Sequence, residues 1–188
     1  MAANTDSNLM IKLSTQELNR INTAEFQEMK KFPIVLVLDN VRSMHNIGSA
    51  FRTADAFAIT KICLCGITAQ PPHREIDKTA LGATNSVKWE YFEHTTAAIR
   101  QLKDDSYQVW AIEQLQTSQN LQEFEPQSGV KYALVFGNEV NGVSDEALAE
   151  CIGGIEIPQF GTKHSFNIVV SAGIVLWDFF TRFQDLKH

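Results

Sequence analysis

Three stretches of the sequence pair polar side chains with a spacing that has a chemical use. In Asn46-Ile47-Gly48-Ser49-Ala50-Phe51-Arg52-Thr53-Ala54-Asp55, the residues Asn46, Ser49 and Arg52 fall at i, i+3 and i+6. On a helix they form one polar row beside an apolar stripe. Asn46 is also near the helix start, where free N–H groups and the dipole favour an anion such as phosphate. The plainer account is an exposed polar face with an Arg52–Asp55 pair. The second stretch runs from Phe136 through Gly137, Asn138, Glu139, Gly142 and Val143 to Ser144. A strand that ends on a small residue lets a ligand approach the backbone, and open α/β sheets bind ligands at that edge; an ordinary βα turn also fits. In the third, Ser165 and Asn167 stand directly before the apolar run Ile168 to Phe180. Their side-chain oxygens suit the free N–H groups of a helix start, and capping alone accounts for both. His164 beside them reads as a surface histidine.

The elements around these stretches alternate. Ile34 to Leu38 is an uninterrupted apolar strand, the kind buried on both faces of a parallel sheet. Further strands are expected at Ile62 to Cys65, Val87 to Phe92, Gln108 to Ile112, Tyr132 to Phe136 and Ile155 to Ile157. Helices are expected over Asn46 to Ala58, Glu75 to Leu81, from a Thr95 cap to Lys103, over Ser144 to Cys151, and from Ile168 onward. A polar stretch, Gln114 to Asn120, precedes a short helical piece reaching Phe124. Upstream, Met1 to about Leu13 reads as disordered, Ser14 to Glu17 has capping-box spacing, and Thr23 reads as the cap of a helix ending near Lys31. The pattern is that of an α/β fold, a largely parallel sheet with helices on both faces. Residues 1–32 form an N-terminal helical arm, 33–183 the main domain and 184–188 a short tail.

A chain of 188 residues suits one domain with a real core. Cys63, Cys65 and Cys151 include no Cys-x-x-Cys pair and read as reduced thiols. The polar N-terminus lacks the blocks of a signal peptide, and the longest apolar run, Ile168 to Trp177, is too short to span a bilayer, so a cytoplasmic protein with no membrane partner is expected. A net charge of −6 argues against nucleic acid, whose binders are usually basic. Its distribution argues the other way: Arg42, Arg52, Arg74, Lys78 and Lys163, with His45, His73 and His164, gather at expected loops and helix starts. Finally, a terminal helix apolar on nearly every face must be buried all round. In a chain this small that points to a second subunit.

Taken in order, the three stretches resemble the motifs of the SpoU/TrmH-type RNA ribose 2′-O-methyltransferases of the SPOUT class. The matching pieces are Asn46 with Arg52-Thr53-Ala54-Asp55, then Leu134 to Ser144, then Ile157-Pro158 with Ser165 to Ala172. The resemblance implies a C-terminal deep trefoil knot, which periodicity cannot reveal. It implies an S-adenosylmethionine pocket, with no metal, formed by Ile112 and Glu113, Gly137, and Ile157 to Phe166. It also implies a homodimer that methylates a ribose 2′-hydroxyl in tRNA or rRNA, tRNA being favoured. The catalytic set carried over is Arg52, Asn46, Glu139, Ser165 and Asn167. A guanidinium, with a pKa above about 12, is a poor base. Arg52 is therefore expected to clamp phosphate and aid electrostatically, while phosphate or water assists loss of the hydroxyl proton. Asn46 would hold the ribose or Arg52, and Glu139 would orient Asn46, Arg52 or substrate across the dimer. Phe166 stands where many relatives have Leu, and target choice is expected to rest on the domain surface and the N-terminal arm. Two other readings differ in kind: a catalytically silent RNA-binding or assembly factor, tested by cofactor affinity, and a base-methylating SPOUT enzyme, tested by nucleoside analysis.

Overall fold

A computed structural model describes residues 12–14, 17–18, 20–163 and 165–183. The expected disorder before Leu13, the 184–188 tail and His164 lie wholly or mostly outside these residues. The strands are β1 (Phe32–Asp39), β2 (Ile59–Cys65), β3 (Trp89–Phe92), β4 (Tyr107–Ile112), β5 (Gln119–Asn120), β6 (Lys131–Phe136) and β7 (Gly153–Glu156). They form one sheet in the order β3-β2-β1-β6-β4-β7-β5, and every neighbouring pair is parallel. The strands' C-terminal ends therefore share one edge. Connections run outward from β1 to β2 and β3, then resume on the other side of β1, so the order reverses beside β1 and β6, where such sheets bind ligands.

The helices are α1 (Thr23–Glu28), α2 (Met44–Ala56), α3 (Arg74–Ala80), α4 (Ala83–Ser86), α5 (Thr95–Asp104), α6 (Asp145–Leu148) and α7 (Ile168–Arg182). Alternation along β1 explains the layers. Ile34, Leu36 and Leu38 pack in a core with Ile47, Phe51 and Ala54 of α2 and Val175, Leu176 and Phe179 of α7. Val35 and Val37 point the other way, into a core with Ala98, Ile99 and Leu102 of α5 and Ala147 of α6. Helices thus cover both faces, as the all-apolar strand requires. Each such buried aliphatic side chain contributes about 1.5–3 kcal/mol. Cys63 and Cys65 are buried free thiols, and desolvation pushes Cys63 up to about 12.

Several local expectations are corrected. Ser14 and Glu17 do exchange capping-box bonds, but Glu17 and Leu18 form a turn. α1 is capped by Asn22, whose side chain and that of Glu25 make a reciprocal box; Thr23 is the first helical residue. The cap position of α5 is His94, because the Thr95 hydroxyl is drawn inward to Asp39. A one-turn helix, α4, follows Gly82, and β3 starts at Trp89. α6 is a single turn, and β7 begins at Gly153, two residues before the apolar run. β5, lying within the polar stretch, has no apolar pattern to announce it.

Candidate functional site

Each of the three stretches lies at the sheet's C-terminal edge. α2 starts there because Ser43 caps it, its side chain accepting from Asn46 N–H at 3.2 Å. Asn46 therefore sits in the first turn. Arg52, two turns on, is exposed and has no hydrogen bond or ion pair among the described residues. The expected Arg52–Asp55 pair is absent among them: Asp55 instead accepts from the Ser86 hydroxyl on α4.

The turn after β6 closes on itself, Asn138 and Gly142 exchanging backbone bonds of 2.8 and 2.9 Å. Only glycine fits at 137, since a Cβ there would lie 2.0–2.2 Å from the backbone of Gly142 and Val143. The Asn138 amide donates to Asn40 O at 2.7 Å, while its oxygen accepts from Val140 N–H at 2.9 Å. Glu139 accepts from Arg42 and Ser43 N–H, both at 3.1 Å, and from the Asn46 amide at 2.9 Å. Burial opposes its charge, but these donors outweigh burial and hold its carboxyl below the ordinary range. Glu139 thus holds the Asn46 side chain within one chain. The reason is local: the carboxylate meets the free N–H groups just before α2.

Asn167 caps α7 through Val169 N–H at 2.9 Å, and its amide donates to Asn46 Oδ1 at 3.1 Å. Glu139, Asn46 and Asn167 therefore form a chain linking all three stretches. Ser165 is exposed and is not the cap.

Between these loops lies a cavity of about 740 Å³. Ile112, Glu113, Gly137, Glu139, Ile157, Ser165, Phe166 and Asn167 all line it; Asn46 and Arg52 do not, but Asn46 bonds two residues that do. Its apolar walls include Leu115, Ile155 and Ile168, and its carboxylates are Glu113, Glu139, Asp145 and Glu156. No lysine, arginine or histidine lines it among the described residues. Such a lining suits a flat apolar group joined to a cationic one and repels phosphates. The sequence reading missed Asp39, Asn138 and the side-chain role of Glu113. One signal was available, an acid closing the otherwise apolar run of β1.

The chain that forms this cavity is similar to known proteins. The chain is 30% identical over 156 residues to the 23S rRNA (guanosine-2'-O-)-methyltransferase RlmB of Neisseria meningitidis, covering 80% of this chain but only 59% of that protein. It is 29% identical over 165 residues to the tRNA (guanosine(18)-2'-O)-methyltransferase of Thermus thermophilus, covering 86% and 81%. Among solved structures, the AdoMet-bound rRNA methyltransferase of Sinorhizobium meliloti superposes with a TM-score of 0.73 at 28% identity, over 81% of this chain and 58% of that one. The model of the SpoU rRNA Methylase family matches residues 33–177, a span that holds every residue of the site, and the chain belongs to that family.

Proposed function

We propose that this protein transfers a methyl group from S-adenosylmethionine to a ribose 2′-hydroxyl of RNA, with tRNA the favoured target. The observation that carries the reading is the hydrogen-bonded chain Glu139–Asn46–Asn167, which joins a cavity of fitting chemistry to the helix bearing Arg52, unpaired among the described residues. S-adenosylmethionine has an adenine ring, a sulfonium, an ammonium and one carboxylate, a net cation. The apolar walls fit the ring, and the four lining carboxylates fit the charge. When bound, it supplies a methyl group already activated by its positive sulfur.

The protein's own work is then placement and charge management. Glu139 fixes the Asn46 side chain by accepting from its amide, leaving Oδ1 to Asn167. Asn46 and Ser165 are the groups that would hold the ribose at the cavity mouth. Arg52, exposed and permanently charged, would clamp the adjacent phosphate. As the methyl carbon's bond to sulfur broke, leaving a neutral thioether, and its bond to the ribose oxygen formed, the hydroxyl proton would pass to phosphate or water.

We also read the C-terminal segment as the family's trefoil knot. In support, β7 lies between β4 and β5, the chain then returns to pack α7 on α2, and Arg182 Nη1 donates to the carbonyls of Gln122 and Phe124 beyond β5. A homodimer is supported by α7, where Val170, Trp177 and Phe180 leave an exposed apolar stripe.

The test is incubation with methyl-labelled S-adenosylmethionine and unmodified tRNA or rRNA, followed by digestion to nucleosides. Label in a 2′-O-methylnucleoside is the expected result and names the RNA and base. Label on a base would overturn the chemistry. Absence of both label and cofactor binding would leave a silent RNA-binding factor as the better reading.

A further inference from the structure

β6 has β1 on one side and β4 on the other, with Leu38 in register with Phe136 and Ala111 with Val135. Just past each register pair, the flanking strand ends in a carboxylate. Asp39 closes β1, and Glu113 follows β4. The turn after β6 presents two consecutive amides to them. Val143 N–H donates to Glu113 Oε2 at 3.1 Å, and Ser144 N–H donates to Asp39 Oδ2 at 2.7 Å. We infer that Asp39 and Glu113 are positioning residues, a two-sided carboxylate clamp that sets the cofactor-binding turn from Gly137 to Ser144. This inference rests on the proposed function.

The chemistry of each acid supports the role. Asp39 is 1% exposed and has no ion pair among the described residues. A buried carboxylate costs heavily unless hydrogen-bonded. Here the Thr95 hydroxyl at 2.5 Å, the Asn40 amide at 2.8 Å and Ser144 N–H supply three donors. Its place is therefore fixed by the α5 hydroxyl and by its neighbour Asn40, and the turn is fixed to it through Ser144. Glu113 lines the cavity, and its other oxygen accepts from Gln114 N–H at 2.9 Å. Gly142, at φ +70, leaves room for that carboxylate, since a Cβ there would lie 2.2 Å from Oε2. Carboxylates accept amide bonds more strongly than neutral groups do, so a turn held by two of them stays in one conformation while the cavity is empty. A side-chain amide in either place offers one acceptor oxygen instead of two.

Glu113→Gln and Asp39→Asn test this, using amide hydrogen exchange, S-adenosylmethionine titration calorimetry and transfer kinetics on the full chain. In Glu113→Gln, Val143 N–H should exchange about tenfold faster and the cofactor Kd should rise about tenfold, the size of one hydrogen bond to a charged acceptor. The KM for cofactor should rise by the same factor, a change larger than any in kcat, and general unfolding does not produce that split. Asp39→Asn should act in the same way through Ser144 N–H; should it fail to fold, Glu113→Gln carries the test. Kd within twofold of wild type in Glu113→Gln would overturn the clamp. So would a raised Kd with Val143 N–H exchanging at the wild-type rate, which would mean that the carboxylate acts on the cofactor directly. Wild-type protein that binds no S-adenosylmethionine would instead overturn the proposed function, and the clamp's part in it.

Discussion

Between Gly137 and Ser144, polar groups are tied down at nearly every step, whereas two turns along α2 the Arg52 guanidinium ends in solvent without a partner among the described residues. Phe160 to Lys163 resemble the Arg52 side: all four are exposed, Phe160 at 97%. The contrast follows from what each side meets. A small ligand entering a turn already held in place loses little conformational freedom. A cation facing water keeps its hydration until a large anionic partner displaces it, and only then does its charge act at low dielectric. On the proposed function, one half of the site is held by this chain's own hydrogen bonds, and the other would be completed by the RNA that binds it.

Cutting the open half should give the largest effect. Arg52→Ala is expected to lower methyl transfer by about 10²–10³-fold, the range for loss of one pre-placed charge-stabilising donor. Cofactor Kd should stay within about twofold, because Arg52 does not line the cavity. Calorimetry beside the labelling assay reads both. Parallel loss of binding and transfer would mean that the halves are not separable.

The exposed stripe of α7 sharpens the comparison at a second open surface. Trp177, 59% exposed, stacks on Phe180 with ring centroids 6.3 Å apart. If a second subunit covers it, Trp177 is an anchor of the kind worth about 2 kcal/mol or more. Trp177→Asp should then weaken self-association by about 30-fold or more in sedimentation equilibrium. A wild-type chain that is monomeric at micromolar concentration would remove the second subunit from the account.

How much of this was legible depends on how far along the chain the partners lie. The apolar run of β1, the Asn167 cap of α7 and the small residues at 137 and 142 announce themselves locally, through period, capping and turn chemistry. The cavity-lining positions came from the ordered resemblance of three stretches, which brings a whole family's geometry with it. What stayed hidden joins distant residues. Asp39 meets Ser144, and Asn40 meets Asn138, about a hundred positions apart. No local pattern encodes such a pair. β5 escaped for another reason, since two polar residues carry no period.

The smallest expected effect lies on the ordered side, at Glu139. Its carboxyl is held below the ordinary range because three donors outweigh partial burial. A depressed folded-state pKa stabilises the fold above the unfolded value, near 4.3, and that stability is lost as pH falls through the lower folded value. Glu139→Gln keeps the side chain's size and removes the titration. Because Glu139 is more open to solvent than buried, its contribution after screening is under about 1 kcal/mol. For a chain of this length that is at most about 4 °C in Tm. Melting curves of the two proteins should differ above pH 5 and converge as pH drops toward 3. A gap that persists unchanged at pH 3 would show that shape, not charge, ties Glu139 to the start of α2. The ordered half would then owe its rigidity to packing around the turn, and the contrast with Arg52 would rest on burial rather than on charge-assisted bonds.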